Sequence, residues 1–401
     1  MKKRIGKTIL FFCFELISIP EYYPIFMLMK TSFTFLLLFL VQFSGIAQQS
    51  KSINLLIGTY TSGKSEGIYV YKFNTQSGDA KYKNKATGVS NPSFLTVSPD
   101  KKHVFAVNEN ASGEVSSFAF TPQTGALKFI NKVPSEGAHP CYITADKTGK
   151  NVIVGNYSGG TLAVLPVGAD GSLGKSIQTI HHEGKGPNKE RQEKAHVHST
   201  VFSPDYKYLL VGDLGIDKAV VYRYDAKKAA SPLTQAIPPF AALEGGSGPR
   251  HIAFHPNNKY VYVVQELTAK VTGLTYKDGK LTPFQTVSLI PNDFKGQVGA
   301  ADIHVSPDGR FLYASNRGDA NDISIFAISA DGKLKFVGRQ STLGKSPRNF
   351  SIDPTGNFLV VANQETDNIV IFKRDKKTGL LKDTGKRIDV GKPVCLVFSS
   401  I

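Results

Sequence analysis

The chain has 401 residues, 41% of them hydrophobic, which is ample for a buried core, and it carries no low-complexity tract or long charge run. Its formal net charge of +16 favours anionic ligands and tolerates nucleic acid or anionic membranes. The lysines, however, are scattered singly over turns with no aromatic-interleaved basic stripe, so a solvated basic surface is the better reading and nucleic acid is not expected as a partner.

The first predicted element is a leader. Met29-Lys30 precedes an almost wholly apolar run at 33–43, followed by Ser44-Gly45-Ile46-Ala47 and the polar Gln48-Gln49-Ser50. A short positive region, an apolar stretch and small residues at its end describe a secretory signal peptide. We expect a signal region over 1–47, a start at Met29, cleavage after Ala47 and an exported, periplasmic or extracellular protein over 48–401. The run is too short for a comfortable membrane span. An anchor built from 9–14 plus 25–43 is opposed by Glu15, Lys30, Pro20 and Pro24, so no membrane insertion is expected after cleavage. Removal of 1–47 takes five basic and two acidic groups and leaves +13. It also takes Cys13, leaving Cys141 and Cys395 in non-adjacent repeats, where two buried thiols are expected rather than a bridge.

Strands are predicted at 54–59, 67–73 and 80–89. One phrase then recurs six times: PSFLTVSPDKKHVFAVNE (92–109), PCYITADKTGKNVIVGN (140–156), VHSTVFSPDYKYLLVGDL (197–214), PRHIAFHPNNKYVYVVQE (249–266), AADIHVSPDGRFLYASNR (300–317) and PRNFSIDPTGNFLVVANQ (347–364). A seventh copy, PVCLVFSS, starts at Pro393 and meets the chain end. Each copy reads as two strands joined by a tight Pro, Asp or Asn, and Gly turn. A third strand follows at 113–120, 161–167, 219–224, 271–276, 322–328 and 368–374, and a fourth is clear at 127–133 and 334–340. The turns recur at intervals of 47, 58, 52, 51, 47 and 46 residues. Four strands per repeat at near-regular spacing predict an all-β fold, a seven-bladed β-propeller of four-stranded antiparallel blades. The seventh blade is completed by the three N-terminal strands, which closes the ring and removes sheet edges. Length alone would allow two or three domains; the unbroken repeat argues for one, and a closed ring makes a monomer the default.

The repeat also supplies a coordinate system. The first residue of each inner strand and the last of its partner share one end of the hairpin, so both positions ring one mouth of the channel. The first position reads Ser93, Cys141, His198, Arg250, Ala301, Arg348 and Val394; the second reads Glu109, Asn156, Leu214, Glu266, Arg317 and Gln364. His198, Arg250, Glu266, Arg317 and Arg348 come from four consecutive blades, an arrangement suited to an anionic polar small molecule, since guanidinium forks match carboxylate or phosphate. A long segment, GKGPNKERQEKAHVH (184–198), accounts for the 58-residue interval and leads onto this rim. His196 and His198 could share a face as metal ligands, but no third ligand of matching type is evident nearby, and no metal or other cofactor is expected. No G-x-S-x-G elbow, Walker loop, dinucleotide fingerprint or H-E-x-x-H is present, which leaves covalent serine chemistry and nucleotide use unsupported.

The blocks GSGPRHIAFHPNNKYVYVVQEL (246–267), AADIHVSPDGRFLYASNR (300–317), SPRNFSIDPTGNFLVVANQ (346–364) and R-Q-E-x-x-H-x-H (191–198) resemble the seven-bladed propeller lactonase family, over roughly 53–400. That family holds propeller-type 6-phosphogluconolactonases and fungal carboxy-cis,cis-muconate lactonizing enzymes. The resemblance implies a lactone hydrolase, with an active site on His198 in H-x-H-S, Arg250 in G-P-R-H, Glu266 in V-Q-E-L and Arg317 in S-N-R. His196, Arg348 and Asn156 are expected to bind substrate, an anionic lactone, and either Glu266 or His198 to activate water. A secretory leader departs from what a cytosolic phosphorylated substrate requires. A lactone-forming cycloisomerase and a non-catalytic exported binding module are the alternatives.

Overall fold

The computed structural model describes residues 51–401; the expected signal region, Met29 and Cys13 lie outside them. The repeated turn is built by its own side chains. In Ser306-Pro307-Asp308-Gly309 the Ser306 hydroxyl bonds Asp308 Oδ1 at 2.5 Å and accepts from the Phe311 amide at 3.1 Å, while Asp308 Oδ1 accepts from the Arg310 amide at 3.1 Å. Ser98 with Asp100 and Ser203 with Asp205 repeat the pattern. Serine and aspartate therefore cap the reversal before any tertiary contact is needed.

Seven four-stranded antiparallel sheets result. Blade 1 runs from the channel outward as Leu95–Val97, His103–Asn108, Glu114–Thr121 and Ala126–Pro134. Blades 2 to 6 begin with the inner strands Pro140–Ala145, Val197–Phe202, Pro249–Phe254, Ala300–Val305 and Pro347–Ile352. In blade 7 the C-terminal Pro393–Ser400 is innermost and pairs with the N-terminal Ser52–Thr59, Leu56 opposite Val397 on one side and Val70 on the other. The inner strands touch in order around the ring, blade 7 against blade 1. Both the blade count and the closure match the sequence expectation.

Stability lies between blades. Ile53, Leu55, Ile57 and Phe73 of blade 7 bury against Phe358, Val360, Ile369 and Ile371 of blade 6, and six further clusters join the other neighbours. Each sheet is thus apolar on both faces, which is why strands such as Tyr208–Asp213 and Phe358–Asn363 are buried along their whole length rather than at alternate residues. The only helix among the described residues is the single 3-10 turn Gln364–Thr366.

Candidate active site

A backbone irregularity aims the rim side chains. Where an inner strand meets its partner, the ladder skips a residue or two: Val197 pairs with Asp213 and Ser199 with Gly212, so His198 is left out. The same shift leaves out Cys141, Arg348, the pair Arg250-His251, and the pair Ala301-Asp302. A bulge frees a residue from the pleat and re-aims its side chain. Five blades repeat it at the same mouth, so their side chains turn into the pore.

There His198, Cys141 and Arg348, with Glu266 and Arg317 from the ends of the partner strands, line a cavity of about 520 Å³. Glu266 is its electrostatic centre. Its Oε2 accepts from Arg250 Nε at 2.8 Å and pairs with Arg317 Nη2 at 3.0 Å, while Oε1 accepts from Arg191 Nη2 at 2.6 Å. Burial alone would push the Glu266 carboxyl up, but Arg317, Arg250, His198 and Arg191 outweigh it and hold the group well below the usual carboxylate range. Arg191 arrives from the long loop. Asn188 Oδ1 accepts the Glu190 and Arg191 amides, and the buried Gln192 pins the turn by donating to Leu214 O and Asp217 Oδ1, both at 2.8 Å. With its neighbour locked, Arg191 reaches over the rim and also bonds the Tyr157 hydroxyl at 3.2 Å.

Across the cavity Glu109 forms a second, looser cluster. It accepts from Tyr60 Oη at 2.9 Å and from Ser93 Oγ, and Arg348 Nη2 lies 3.8 Å away. The Arg348 guanidinium sits 5.5 Å over the Tyr60 ring. It makes no hydrogen bond to protein among the described residues, so its donors remain available in the cavity. Four guanidiniums against two carboxylates leave this mouth positive.

His198 lies between the two clusters, with Nδ1 3.7 Å from Cys141 Sγ and Nε2 without a protein partner among the described residues. Burial first, then Arg250 and His251, lower its pKa well below 6.5, so the imidazole is neutral at neutral pH. Arg250 is lowered to about 10 by burial and by Arg317 and Arg348, and it stays a cation.

The structure gathers His198, Glu266, Arg317 and Arg348 around one cavity and places Arg250 beneath it, lining a small void with His198 and Cys141. Two expected substrate ligands sit elsewhere. Asn156 is buried, its amide donating to Ser135 O at 2.8 Å and Thr161 Oγ1 at 3.0 Å, and it is absent from the cavity wall. The expectation slipped by one residue. Asn156 is in register with Asn108, Asn316 and Asn363, which staple their blades with similar bonds, and the rim residue of blade 2 is Tyr157. Because side chains alternate along a strand, that slip exchanges a wall residue for a buried one. His196 stacks on Tyr157 with ring centroids 4.4 Å apart and bonds Tyr157 O and Glu193, so it braces the wall without lining it. Its partners differ from those of His198, and no group of three or more potential ligands able to hold a metal ion occurs among the described residues. Cys141 and Cys395 are free and buried, and Cys141 also touches the cavity.

Tyr60, Tyr157 and Arg191 were missed as individual residues. Tyr60 follows Thr59 as Glu109 follows Asn108 and Glu266 follows Gln265. Tyr60 is therefore the seventh member of the rim series, displaced to the other end of the chain, and the repeat register contained the signal.

A family model described as "Lactonase, 7-bladed beta-propeller" matches residues 54–398. The 6-phosphogluconolactonase of Bacillus subtilis is 38% identical over 346 residues, 85% of this chain and 97% of that protein. The 6-phosphogluconolactonase of Formosa agariphila is 38% identical over 337 residues, 82% of this chain and 94% of that protein. Among solved structures, the periplasmic gluconolactonase of Pseudomonas aeruginosa superposes with a TM-score of 0.83 at 41% identity, covering 87% of this chain and 99% of that one. With the ring of seven blades and its charged mouth, these likenesses establish that the chain belongs to the seven-bladed β-propeller lactonase family.

Proposed function

We propose that this protein hydrolyses the ring ester of a sugar or sugar-acid lactone in the cavity that holds His198, Glu266, Arg317 and Arg348. The observation that carries the reading is a buried imidazole with a free Nε2 in the same cavity as a carboxylate shared by three arginines. Such a site can accept a proton from water and at once stabilise developing negative charge. His198 Nε2 takes the water proton as the oxygen attacks the lactone carbonyl. The oxyanion forms against guanidinium donors. The ring C–O bond then breaks, and its oxygen leaves as a hydroxyl with the proton returned by His198. Glu266 has both carboxylate oxygens engaged by arginines, Oε1 by Arg191 and Oε2 by Arg250 and Arg317, so it serves to orient those three groups rather than to take the water proton. Arg348, with free donors, takes the substrate's anionic group.

The leader pattern at 29–47 supports export, and a relative at 41% identity is named a periplasmic gluconolactonase. N-terminal sequencing of the mature protein should read from Gln48. The decisive experiment is a panel of gluconolactone, 6-phosphogluconolactone and muconate-type acids with product analysis. Turnover of lactone to hydroxy acid is expected; activity unchanged in an Arg250→Ala, Glu266→Ala double variant would remove this site from the chemistry.

A further inference from the structure

The sequence blocks G-P-R-H and A-D-I-H contain three residues that the cavity does not use: His251, Asp302 and His304. His251 and Asp302 both fall in the register shifts of blades 4 and 5, so the bulge that aims Arg250 at Glu266 turns its neighbour toward Asp302. They meet inside the channel. His251 Nδ1 lies 2.7 Å from Asp302 Oδ1, and His304 Nε2 lies 3.0 Å from Asp302 Oδ2. Asn349 Nδ2 and the amides of Ile303 and Phe350 donate to the same carboxylate. On its other side, His251 Nε2 stands 3.3 Å from Arg250 Nη1, and Arg250 Nε reaches Glu266 at 2.8 Å. A continuous polar chain thus runs from His304, part-exposed in a separate cavity of about 490 Å³, to the carboxylate at the lactone site.

We propose that Asp302 and His251 are positioning residues for the lactonase reaction: Asp302 fixes the Nδ1–H tautomer of His251, which leaves Nε2 as the acceptor that orients Arg250 on Glu266. This inference rests on the lactonase reading for its kinetic part only. An ionised carboxylate accepts and cannot donate, so the His251 nitrogen facing it must carry the proton. Asp302 stays ionised in spite of burial because His304, His251 and its other donors outweigh the desolvation. His251 is lowered to about 4, by burial first and then by Arg250, with Asp302 opposing, so it does not become a second cation against Arg250 near neutral pH. Tyr142, Phe94 and His198 meet its ring edge to face and make no hydrogen bond to it, so its ring nitrogens face only Asp302 and Arg250. Without the Nε2 acceptor, Arg250 Nη1 keeps only Ala301 O, so the orientation of the guanidinium on Glu266 rests on that carbonyl and the Nε bond alone.

Two measurements test this on the full mature protein. Long-range ¹⁵N–¹H spectra of histidine-labelled protein should show His251 as the neutral Nδ1–H tautomer at pH 7, and Asp302→Asn should move it toward Nε2–H. An Nε2–H tautomer or an imidazolium in the wild type overturns the proposal. In kinetics, His251→Phe keeps the aromatic packing but has no acceptor, and should lower kcat about ten- to hundredfold, the equivalent of one hydrogen bond to a charged group. KM should stay within about twofold, because the substrate contacts are untouched. His251→Gln places an amide oxygen near the Nε2 position and should recover most of the rate. Equal losses in the Gln and Phe variants, or a wild-type kcat in the Phe variant, overturn it. If the wild type opens no lactone, the hydrolase reading falls, and the tautomer spectrum alone decides the relay.

Discussion

At the scale of single residues, the site rests on which charges are already spent. Arg250 and Arg317 bond Glu266 and backbone carbonyls, whereas Arg348 has a 3.8 Å approach to Glu109 and the face of the Tyr60 ring but no hydrogen bond among the described residues. Arg348→Ala should therefore raise KM by about ten- to hundredfold, the equivalent of one charge-assisted hydrogen bond, and leave kcat nearly unchanged. Steady-state kinetics on the best lactone of the panel decide it; a fall in kcat at constant KM would place Arg348 in the chemistry instead. Glu266→Ala should cost more, since it leaves three guanidiniums facing each other in a buried site: roughly 3–5 kcal/mol of stability by denaturant melts, with turnover reduced at least about a hundredfold. The pH profile follows from His198. Falling pH protonates the base and removes activity, and because burial and Arg250 hold its pKa well below 6.5, the acid limb of kcat/KM should lie well below pH 6.5, with a plateau through neutrality. A limb centred at 6.5 or above would assign the base elsewhere.

At the scale of elements, two devices turn a generic blade into a site. One is the bulge at the start of the inner strand; the other is the loop between blades 2 and 3. Gln192 is fully buried and is the loop's anchor, so Gln192→Ala leaves Leu214 O without its donor, takes one of four donors from Asp217 and should cost about 1–3 kcal/mol locally. Hydrogen exchange confined to 184–195 should rise, and KM should rise with it as Arg191 leaves Glu266. Uniform protection in that variant would show that the loop is held by something else. The loop's importance was legible from its length alone, and so were nearly all the strands, because turn chemistry and apolar runs are local. Asn156 and Tyr157 mark where that reading failed. Blade 2 lacks a charged residue after its second strand, so nothing in the residue types separated staple from wall, and only the register of the paired strands did.

At the scale of the whole molecule, the ring closes through its termini. Pro393–Ser400 supplies the inner strand of a blade whose other three strands begin at Ser52. Deleting 393–401 would bare the edge of Ser52–Thr59 and strip Leu396 and Cys395 from two inter-blade cores. The truncated protein should lose its cooperative melt and associate through the open edge, which circular dichroism and sedimentation would detect; a monomer melting within a few degrees of the full chain would contradict the closure argument. The amino-acid sequence by itself determined the number of blades, the shared closing blade and the mouth at which unusual side chains collect, because a repeat carries its own period and its turns are made by adjacent residues. Only the tertiary structure decided which rim residues face the cavity, that three arginines share Glu266, and that His198 is neutral. Those properties arise from side chains of different blades meeting out of water, and neither distance nor desolvation between distant copies is written in any one of them.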